Sequence, residues 1–422
     1  MSFMWLTEFQ VKVVVTFIFF AVLLAFFLYN ITYFSGYVFD ESYYADAALQ
    51  IYEKGEDPNF QHPPLAKWLI SLPFNFSYPN WSLTWRLMPL VFGFMGLIVF
   101  YFFSRSVGLS WKLGLLSVLF LVGTKSWYTL SRIAMLDIFV CVFILISAYV
   151  LFLYLKRNSF SKKYDEYRGS WILFFVGVWT GLAGLTKWTG FFPFIFYVVL
   201  YLMYFEGVGR KRFFHLLFLI LVSACTYFLG FLILMGGDHI EVVLRNFRQI
   251  NFHNYDMLPE NNEKALGNEM LKGGFPAFIQ FFTSYQIYFV NSGVEVNYGL
   301  SNNHFMYVYF AVFALLFVLS VLALVVRSIQ KIPMDEAPVF LKEPAMLFLF
   351  FYAASLVMPW AFFPRVQYNF YYVPAFPFII LLSMFYVFKY ASARIQLLFV
   401  LSYFMFFFWG FEYLIPIDWS LF

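Results

Sequence analysis

Residues 38–72 read VFDESYYADAALQIYEKGEDPNFQHPPLAKWLISL and form the most polar stretch of an otherwise apolar region. The adjacent acids Asp40 and Glu41 follow directly on the first long hydrophobic segment. Asp40 or Ser42 can cap a helix over ESYYADAALQIYEK, and the Pro63-Pro64 pair can start a second helix, PLAKWLISL. Both segments mix apolar and polar positions, which is typical of amphipathic helices that lie along a membrane interface.

The composition of the whole chain identifies a membrane protein. Of 422 residues, 63% are hydrophobic and 12% are charged, whereas soluble domains carry about 25% charged residues. The formal net charge is +4, and the basic residues are spread along the chain, so no block of them indicates a nucleic-acid site. Cys141 and Cys225 both lie in apolar segments, so they form neither a disulfide framework nor a metal motif.

A helix that spans a bilayer needs about 20 mainly apolar residues. Eleven segments are candidates, at residues 11–34, 86–104, 111–128, 133–155, 171–186, 189–205, 213–235, 305–327, 344–361, 369–388 and 394–413. Several are short or interrupted, so the expected number of spans is nine to twelve. The sequence therefore predicts an all-α polytopic bundle of about eleven transmembrane helices, forming one domain over residues 1–422.

Lys and Arg in the short connections favour a cytoplasmic N-terminus. Residues 35–85 and 236–304 then become two large extracytoplasmic loops. On the same side, ionisable residues lie near the outer ends of the predicted spans: Asp40, Glu41, His62, Lys67, Arg86, Lys125, Arg132, Asp137, Lys187 and Arg365. Single Lys or Arg residues there are equally well explained as interfacial anchors. Because acids and bases are interleaved on one side, the set favours a polar cavity open to the outer leaflet.

Such a cavity suits a lipid whose headgroup carries a phosphate, because Arg and Lys bind phosphate well. If the ligand is a sugar on a polyprenyl phosphate, a carboxylate can take the proton of the attacking hydroxyl. Cations can stabilise the departing phosphate. A single carboxylate gives inversion at the anomeric carbon, by analogy with single-displacement glycosidases.

Asp40 is the candidate base, and a plain helix N-cap is its structural alternative. Glu41 either orients Asp40 or pairs with Arg86. His62 either contacts phosphate or acceptor, or holds the loop through backbone hydrogen bonds. No ligand spacing such as HExxH is present, so no metal is predicted. The acids and the histidine still leave a requirement for a divalent metal open.

The segments FDESYY, HPPLAKWL and WRLMPLVFG resemble the first-loop and second-helix pattern of protein O-mannosyltransferases, a family of the GT-C glycosyltransferase superfamily. SRIAMLDIF, GLAGLTKWTGFF and FPRVQYNFYYVPAFPF follow in the family's order. The resemblance implies an inverting hexosyltransferase with a GT-C transmembrane fold. It would move a sugar, with mannose favoured, from a dolichyl or polyprenyl monophosphate to an acceptor hydroxyl, with Ser or Thr of a protein favoured. No cofactor is implied beyond this lipid-linked donor.

The resemblance also implies roles for individual residues. Asp40 matches the family's catalytic acid, Glu41 the acid beside it and Arg86 the arginine that supports the pair, while Arg132, Lys187 and Arg365 match basic positions around the donor phosphate. Ala66 departs from the family, which usually has glycine there. Residues 236–304 are too short for the β-trefoil insert of eukaryotic members. We therefore expect the plasma membrane of a prokaryote rather than the endoplasmic reticulum, with the active site on the extracytoplasmic side.

Other interpretations remain at this point. Relatives that modify lipids or other glycans leave the acceptor open. Family members can pair with each other, but no surface in the sequence marks a dimer. A transporter or flippase should carry charges near the bilayer midplane and a repeat in its two halves, and the sequence has charges on one side and no repeat. A non-catalytic scaffold would not need the Asp-Glu pair.

Overall fold

The computed structural model is helical throughout most of its length, as the sequence predicts. It describes residues 7–33, 35–76, 81–158, 171–204, 209–235, 288–291, 294–299, 343–363 and 369–408, with positions 241, 244, 248, 315, 318 and 322. The first helices are α1 (Glu8–Leu28), α2 (Glu41–Lys54), α3 (Leu65–Ser71), α4 (Ser82–Val107), α5 (Trp111–Val122), α6 (Ser126–Leu130) and α7 (Asp137–Arg157). The later helices are α8 (Ile172–Thr186), α9 (Pro193–Tyr204), α10 (Gly209–Met235), α11 (Pro344–Val357), α12 (Phe376–Tyr390) and α13 (Ala393–Phe408).

Short elements complete the described fold. Tight 3₁₀ turns cover Leu72–Asn75, Trp188–Phe191, Met358–Ala361 and Asn369–Ala375. In the predicted second loop, β1 (Tyr288–Asn291) pairs antiparallel with β2 (Val294–Gly299), so that Tyr288 lies opposite Gly299. This two-stranded hairpin is the exception to the all-α prediction in the described part of the chain.

Six of the described helices are long and apolar enough to cross a bilayer, which agrees with a polytopic membrane protein. They are Glu8–Leu28, Ser82–Val107, Asp137–Arg157, Phe213–Leu234, Pro344–Ala361 and Phe370–Tyr390. Shorter apolar helices occupy Trp111–Val122, Ile172–Thr186, Trp188–Leu200 and Ala393–Phe404. The predicted span 305–327 lies outside the described residues apart from three positions. The number of eleven spans therefore stays a prediction.

Helix α7 lies in the interior of the bundle. Over its most apolar stretch 78% of the residues are buried, against 11% for α1. It packs against α4 on one side and α8 on the other, and α8 in turn packs on α10. Small residues allow this close packing: a Cβ added at Gly181 of α8 would lie 2.6 Å from the carbonyl oxygen of Ser223 in α10.

Polar side chains also join these helices inside the bundle. The hydroxyls of Ser147 in α7, Thr180 in α8 and Tyr197 in α9 lie 2.9 Å from one another, and all three residues are buried. Each hydroxyl thus finds a partner without water, which an apolar surrounding requires. This cluster fixes the mutual rotation of the three helices.

Both helices predicted in the first loop are present. Helix α2 ends at Gly55, whose φ of 71° closes the helix in the left-handed conformation that glycine adopts readily. Pro64 is the N-cap residue of α3, so the prolines directly precede the helix. The two helices pack on each other, and α3 also packs on α4. The first loop is therefore a structured cover on the bundle, and it carries Asp40 and Glu41.

Candidate active site

A buried ion pair joins the first residue of α2 to α4. Arg86 donates from Nε to Oε1 of Glu41 at 2.9 Å and from Nη2 to Oε2 at 2.7 Å. Both side chains are almost completely excluded from solvent. Two parallel charge-assisted hydrogen bonds of this kind fix the orientation as well as the distance of the partners. Of the two alternatives for Glu41, the structure therefore has the pairing with Arg86.

Two backbone groups complete the surroundings of the Glu41 carboxylate. The N–H of Val38 donates to Oε2 at 2.7 Å, and the N–H of Ala134 donates to Oε1 at 2.8 Å. With Arg86, each carboxylate oxygen thus accepts two hydrogen bonds, which is its ordinary capacity. The bond from Ala134 ties the first loop to the segment between α6 and α7. Glu41 is therefore an anchor between three parts of the fold.

The remaining donors of Arg86 hold the chain that leads to Asp40. Nη1 donates to the carbonyl of Ile31 and Nη2 to the carbonyl of Gly36, each at 3.0 Å. This segment contains Asn30 and Phe39, whose φ angles of 52° and 54° are uncommon for residues with a Cβ. Such conformations persist where neighbouring contacts enforce them. The backbone on both sides of the turn before α2 is therefore fixed.

Asp40 occupies the N-cap position of α2, but its side chain makes no capping hydrogen bond. Its backbone carbonyl accepts instead from the N–H groups of Tyr43 and Tyr44, at 3.0 and 3.2 Å. The residue is half-buried at the amino end of the helix, where the helix dipole stabilises negative charge. The side chain therefore does not act as a helix N-cap, and Asp40 remains the candidate base.

Arg132 is a buried cation without an acidic partner among the residues that the structure describes. Its guanidinium donates to the Tyr29 carbonyl at 2.5 Å and to the Tyr128 hydroxyl, and lies 4.7 Å from the centre of the Tyr128 ring. Burial, and then repulsion from Arg86, lower the pKa of Arg132 to about 10. The group therefore stays positive at neutral pH. A buried charge of this kind is stabilised by an incoming anion.

Lys187, in contrast, already has a carboxylate partner. Its Nζ lies 2.8 Å from Oδ1 of Asp137, and both residues are buried. Lys187 is the C-cap residue of α8 and Asp137 is the first residue of α7, so the packing of these two helices brings them together. The ammonium group also lies 5.3 and 5.0 Å from the ring centres of Phe370 and Tyr371. Lys187 and Asp137 thus form a buried ion pair.

The 3₁₀ segment Asn369–Ala375 connects the two groups of residues. The ring of Phe370, which faces Lys187, also makes an edge contact with Phe39 at 5.8 Å between centres. Phe39 immediately precedes Asp40. The carboxyl-terminal part of the chain therefore closes the site between the first loop and the ends of α7 and α8. Arg365, predicted to face the donor phosphate, lies outside the described residues.

A second buried ion pair stabilises the first loop. Lys67 is completely buried and pairs with Asp57; its Nζ also donates to the carbonyls of Asn59 and, at 2.8 Å, His62. Burial raises the pKa of Asp57 and lowers that of Lys67, and the attraction within the pair opposes both shifts. The His62 carbonyl thus takes part in holding the loop, and its buried ring lies 5.9 Å from that of Tyr44.

Sequence reasoning missed two features of this site. Asp57 lies in a loop with no periodic pattern, and no local signal distinguishes it from a solvated acid. The backbone N–H of Ala134 carries no side-chain signature at all. In the described part of the chain, no group of three or more His, Cys, Asp and Glu side chains is arranged to hold a metal ion.

The fold first defines a class of protein. The crystal structure of ArnT from Cupriavidus metallidurans bound to undecaprenyl phosphate matches with a TM-score of 0.55 and 15% identity, over 90% of this chain and 61% of that chain. The apo structure of the same protein matches with a TM-score of 0.54 and 16% identity, over 90% of this chain and 60% of the other. This likeness shows that the chain shares the fold of ArnT.

The sequence then gives the family. The family model for dolichyl-phosphate-mannose-protein mannosyltransferases matches residues 17–235, and the chain belongs to this family. A polyprenol-phosphate-mannose–protein mannosyltransferase of Mycolicibacterium smegmatis is 26% identical over 197 residues, which are 42% of this chain and 37% of the relative. Its counterpart in Corynebacterium glutamicum is 27% identical over 186 residues, 38% of this chain and 35% of that protein. The match spans little more than a third of either relative.

Proposed function

We propose that the protein is an inverting glycosyltransferase that moves a hexose from a polyprenyl monophosphate to an acceptor hydroxyl on the extracytoplasmic face of the membrane. Mannose is the proposed sugar and Ser or Thr of a protein the proposed acceptor. The observation that carries this function is that an acid and a cation belong to the same part of the fold: Glu41, next to Asp40, accepts a hydrogen bond from Ala134, which lies two residues after Arg132. Asp40 is held at the end of a clamped loop, and the buried Arg132 lacks an acidic partner among the described residues.

The chemistry follows from these two charges. The Asp40 carboxylate takes the proton of the acceptor hydroxyl while the hydroxyl oxygen attacks the anomeric carbon. The bond between that carbon and the phosphate oxygen breaks, and the polyprenyl phosphate leaves with the electron pair. Arg132 lies buried and preorganised to stabilise the charge on this leaving group, and Lys187 is the second described cation proposed for it. A single displacement inverts the configuration.

An apolar groove supports a lipid-linked donor. It has a volume of about 210 Å³ and is lined by Ile195, Phe196, Val199, Phe351, Ala354, Ser355, Met358, Pro359 and Phe362. The ring of Tyr371, which faces Lys187, stacks on Trp360 with 4.5 Å between centres. Trp360 follows Pro359 of the groove directly. Aromatic side chains thus lead from a proposed phosphate ligand to a surface suited to a hydrocarbon tail.

The comparisons support the choice of sugar, acceptor and location. The names of both relatives specify polyprenol-phosphate-mannose and protein, and both relatives are bacterial. A polytopic chain of this family with a polyprenol carrier fits the plasma membrane of a prokaryote. The first loop then faces the extracytoplasmic side, in agreement with the Lys and Arg distribution.

The base is tested by Asp40→Asn in protein reconstituted with polyprenyl-phosphate mannose and a Ser/Thr-containing peptide. Transfer should fall by at least about 10²–10⁴-fold, the usual contribution of a positioned base, without loss of folded protein. Asp46→Asn is the matched control, because this acid lies on the same helix, is exposed and accepts from Tyr37. Full transfer in Asp40→Asn would remove Asp40 as the base. Sugar transfer to lipid instead of peptide would replace the proposed acceptor.

The phosphate contact is tested by comparing Arg132→Gln with Arg132→Lys. The first variant should weaken binding of bare polyprenyl phosphate by about 10-fold or more, because a charge-assisted hydrogen bond contributes roughly 1.5–3 kcal/mol. Lysine keeps the charge but not the planar fork, so it should recover part of the affinity. Equal binding by the wild type and Arg132→Gln would exclude Arg132 as a phosphate ligand.

A further inference from the structure

Asp137 carries a buried oxygen for which the described residues provide no hydrogen-bond donor. Oδ1 accepts from Nζ of Lys187 at 2.8 Å, whereas Oδ2 is inaccessible to solvent and has no partner in this part of the chain. The residue as a whole is 4% exposed. Buried carboxylate oxygens are nearly always hydrogen-bonded, because an unmet acceptor loses its hydration without compensation. A bound ligand can provide such a donor.

The surroundings of this oxygen belong to the same site as Asp40. Lys187, the partner of Asp137, faces the rings of Phe370 and Tyr371. Phe370 in turn contacts Phe39, the residue before the candidate base. Asp137 thus lies on the side of the site formed by α7 and α8, across the aromatic residues from the first loop.

The charges select the kind of donor. At hydrogen-bond distance from Oδ2, a phosphate oxygen would be repelled by the carboxylate of Asp137, and an ammonium ligand would be repelled by the adjacent Lys187. A metal ion is not favoured either, since the described residues bring no group of three His, Cys, Asp or Glu side chains together. A neutral hydroxyl meets neither repulsion, and it donates one hydrogen bond well to a carboxylate.

We propose that Oδ2 of Asp137 accepts a hydrogen bond from a substrate hydroxyl, so that Asp137 determines which substrates bind. This deepens the proposed function and rests on it, because the substrates that carry hydroxyls are those of glycosyl transfer. The hydroxyl belongs either to the sugar of the donor or to the acceptor. Asp137 also keeps Lys187 oriented through its other oxygen, which couples recognition of the hydroxyl to the position of a cation.

The test combines one variant with substrates that lack single hydroxyls. In Asp137→Asn the amide oxygen can stay beside Lys187, which puts an NH₂ donor where Oδ2 was. Wild-type protein and this variant are assayed with polyprenyl-phosphate mannose and with analogues deoxygenated at one sugar position each. If the hydroxyl belongs to the sugar of the donor substrate, one deoxygenated analogue should show a kcat/KM about 10–100-fold lower than polyprenyl-phosphate mannose with wild-type protein. This is the loss expected for a hydrogen bond to a charged group. With Asp137→Asn, the kcat/KM of the same analogue should be less than about 3-fold below that of polyprenyl-phosphate mannose.

The second arm identifies an acceptor hydroxyl. If the hydroxyl belongs to the acceptor, Asp137→Asn should raise the acceptor KM while the affinity for polyprenyl-phosphate mannose alone stays unchanged. Asp137→Glu, which keeps the charge beside Lys187, provides a second variant if the first does not fold. A uniform effect of the variants on every analogue, together with an unchanged acceptor KM, overturns the proposal and leaves Oδ2 with a water molecule.

Asp57→Asn is the matched control, because it also breaks a buried Asp–Lys pair but lies in the structural part of the first loop. It should lower stability without changing the preference among the analogues. Failure of the proposed function and failure of the proposed role of Asp137 give different results. Wild-type protein that transfers no sugar contradicts the proposed function, whereas wild-type protein that transfers sugar without any coupling to Asp137 contradicts only the role of Asp137.

Discussion

Replacement of Arg86 by methionine tests whether the clamp on Glu41 organises the site. Arg86→Met removes the two hydrogen bonds to Glu41 and those to the carbonyls of Ile31 and Gly36. Glu41 would remain buried with two backbone donors. Breaking a buried ion pair by removing one partner costs about 3–5 kcal/mol. At 1.4 kcal/mol per factor of ten, this raises the equilibrium constant of unfolding by roughly two to four orders of magnitude.

The variant Arg86→Lys separates charge from geometry. Lysine keeps one positive charge, but its ammonium group cannot form the planar fork with Glu41 and reach both carbonyls. The free energy of unfolding of Arg86→Lys should therefore lie between that of the wild type and that of Arg86→Met. Transfer activity should fall in both variants, because the backbone that leads to Asp40 loses two of its fixed points.

The assay is a double-mutant cycle with Glu41→Gln, Arg86→Met and the double variant, unfolded in mixed micelles and followed by tryptophan fluorescence. The expected coupling energy is about 2–3 kcal/mol, near the upper end for residues in direct contact. The pair of Lys12 and Glu8 in α1 is the matched control: it is 2.7 Å long but exposed, so its coupling should be below about 0.5 kcal/mol. Equal coupling in the two cycles would refute the conclusion that Arg86 and Glu41 hold the site.

Three further outcomes are expected. Gly93→Ala places a Cβ 2.0 Å from Oγ of Ser131, so it should cost about 1–3 kcal/mol of stability. Adding Ser131→Gly should recover part of this loss in a thermal unfolding assay. No recovery would contradict this contact. Lys67→Met leaves Asp57 buried and unpaired, so it should cost about 3–5 kcal/mol and reduce the yield of monodisperse protein, whereas a normal yield would contradict the role of this pair. Burial raises the pKa of Glu343, but hydrogen bonds from α12 outweigh it and hold the pKa below the ordinary 4.5. Its stabilisation is therefore present above that value and is lost as pH falls through the folded-state pKa. Acid titration of Glu343→Gln should lack this loss, which is below about 1 kcal/mol for an exposed pair, and an identical titration of wild type and variant would contradict it.

Local features of the sequence determined a large part of this protein. Hydropathy alone indicated a polytopic helical protein, because a bilayer demands long apolar segments whatever their neighbours are. The turn before Glu41 and the glycine at position 55 bound α2, since caps and helix ends depend on a few adjacent residues. The order of the motifs indicated the family to which the chain belongs. The segment 111–128 is one of the spans that the sequence predicts to be short or interrupted, and in the structure it is interrupted: α5 ends at Val122 and α6 begins at Ser126.

The partners of the charged residues were decided only by the tertiary structure. Asp40, Glu41, Arg132 and Lys187 could each be named from the sequence, but not which of them would be paired. Glu41 accepts a hydrogen bond from the backbone of Ala134, which is 93 residues away in the chain. Lys187 donates one to Asp137, which is 50 residues away. Such contacts depend on how α4, α7 and α8 pack, and a charge alone attracts any opposite charge within reach. Helix packing therefore made Glu41 an anchor, gave Lys187 a partner and left Arg132 without an acidic one among the described residues.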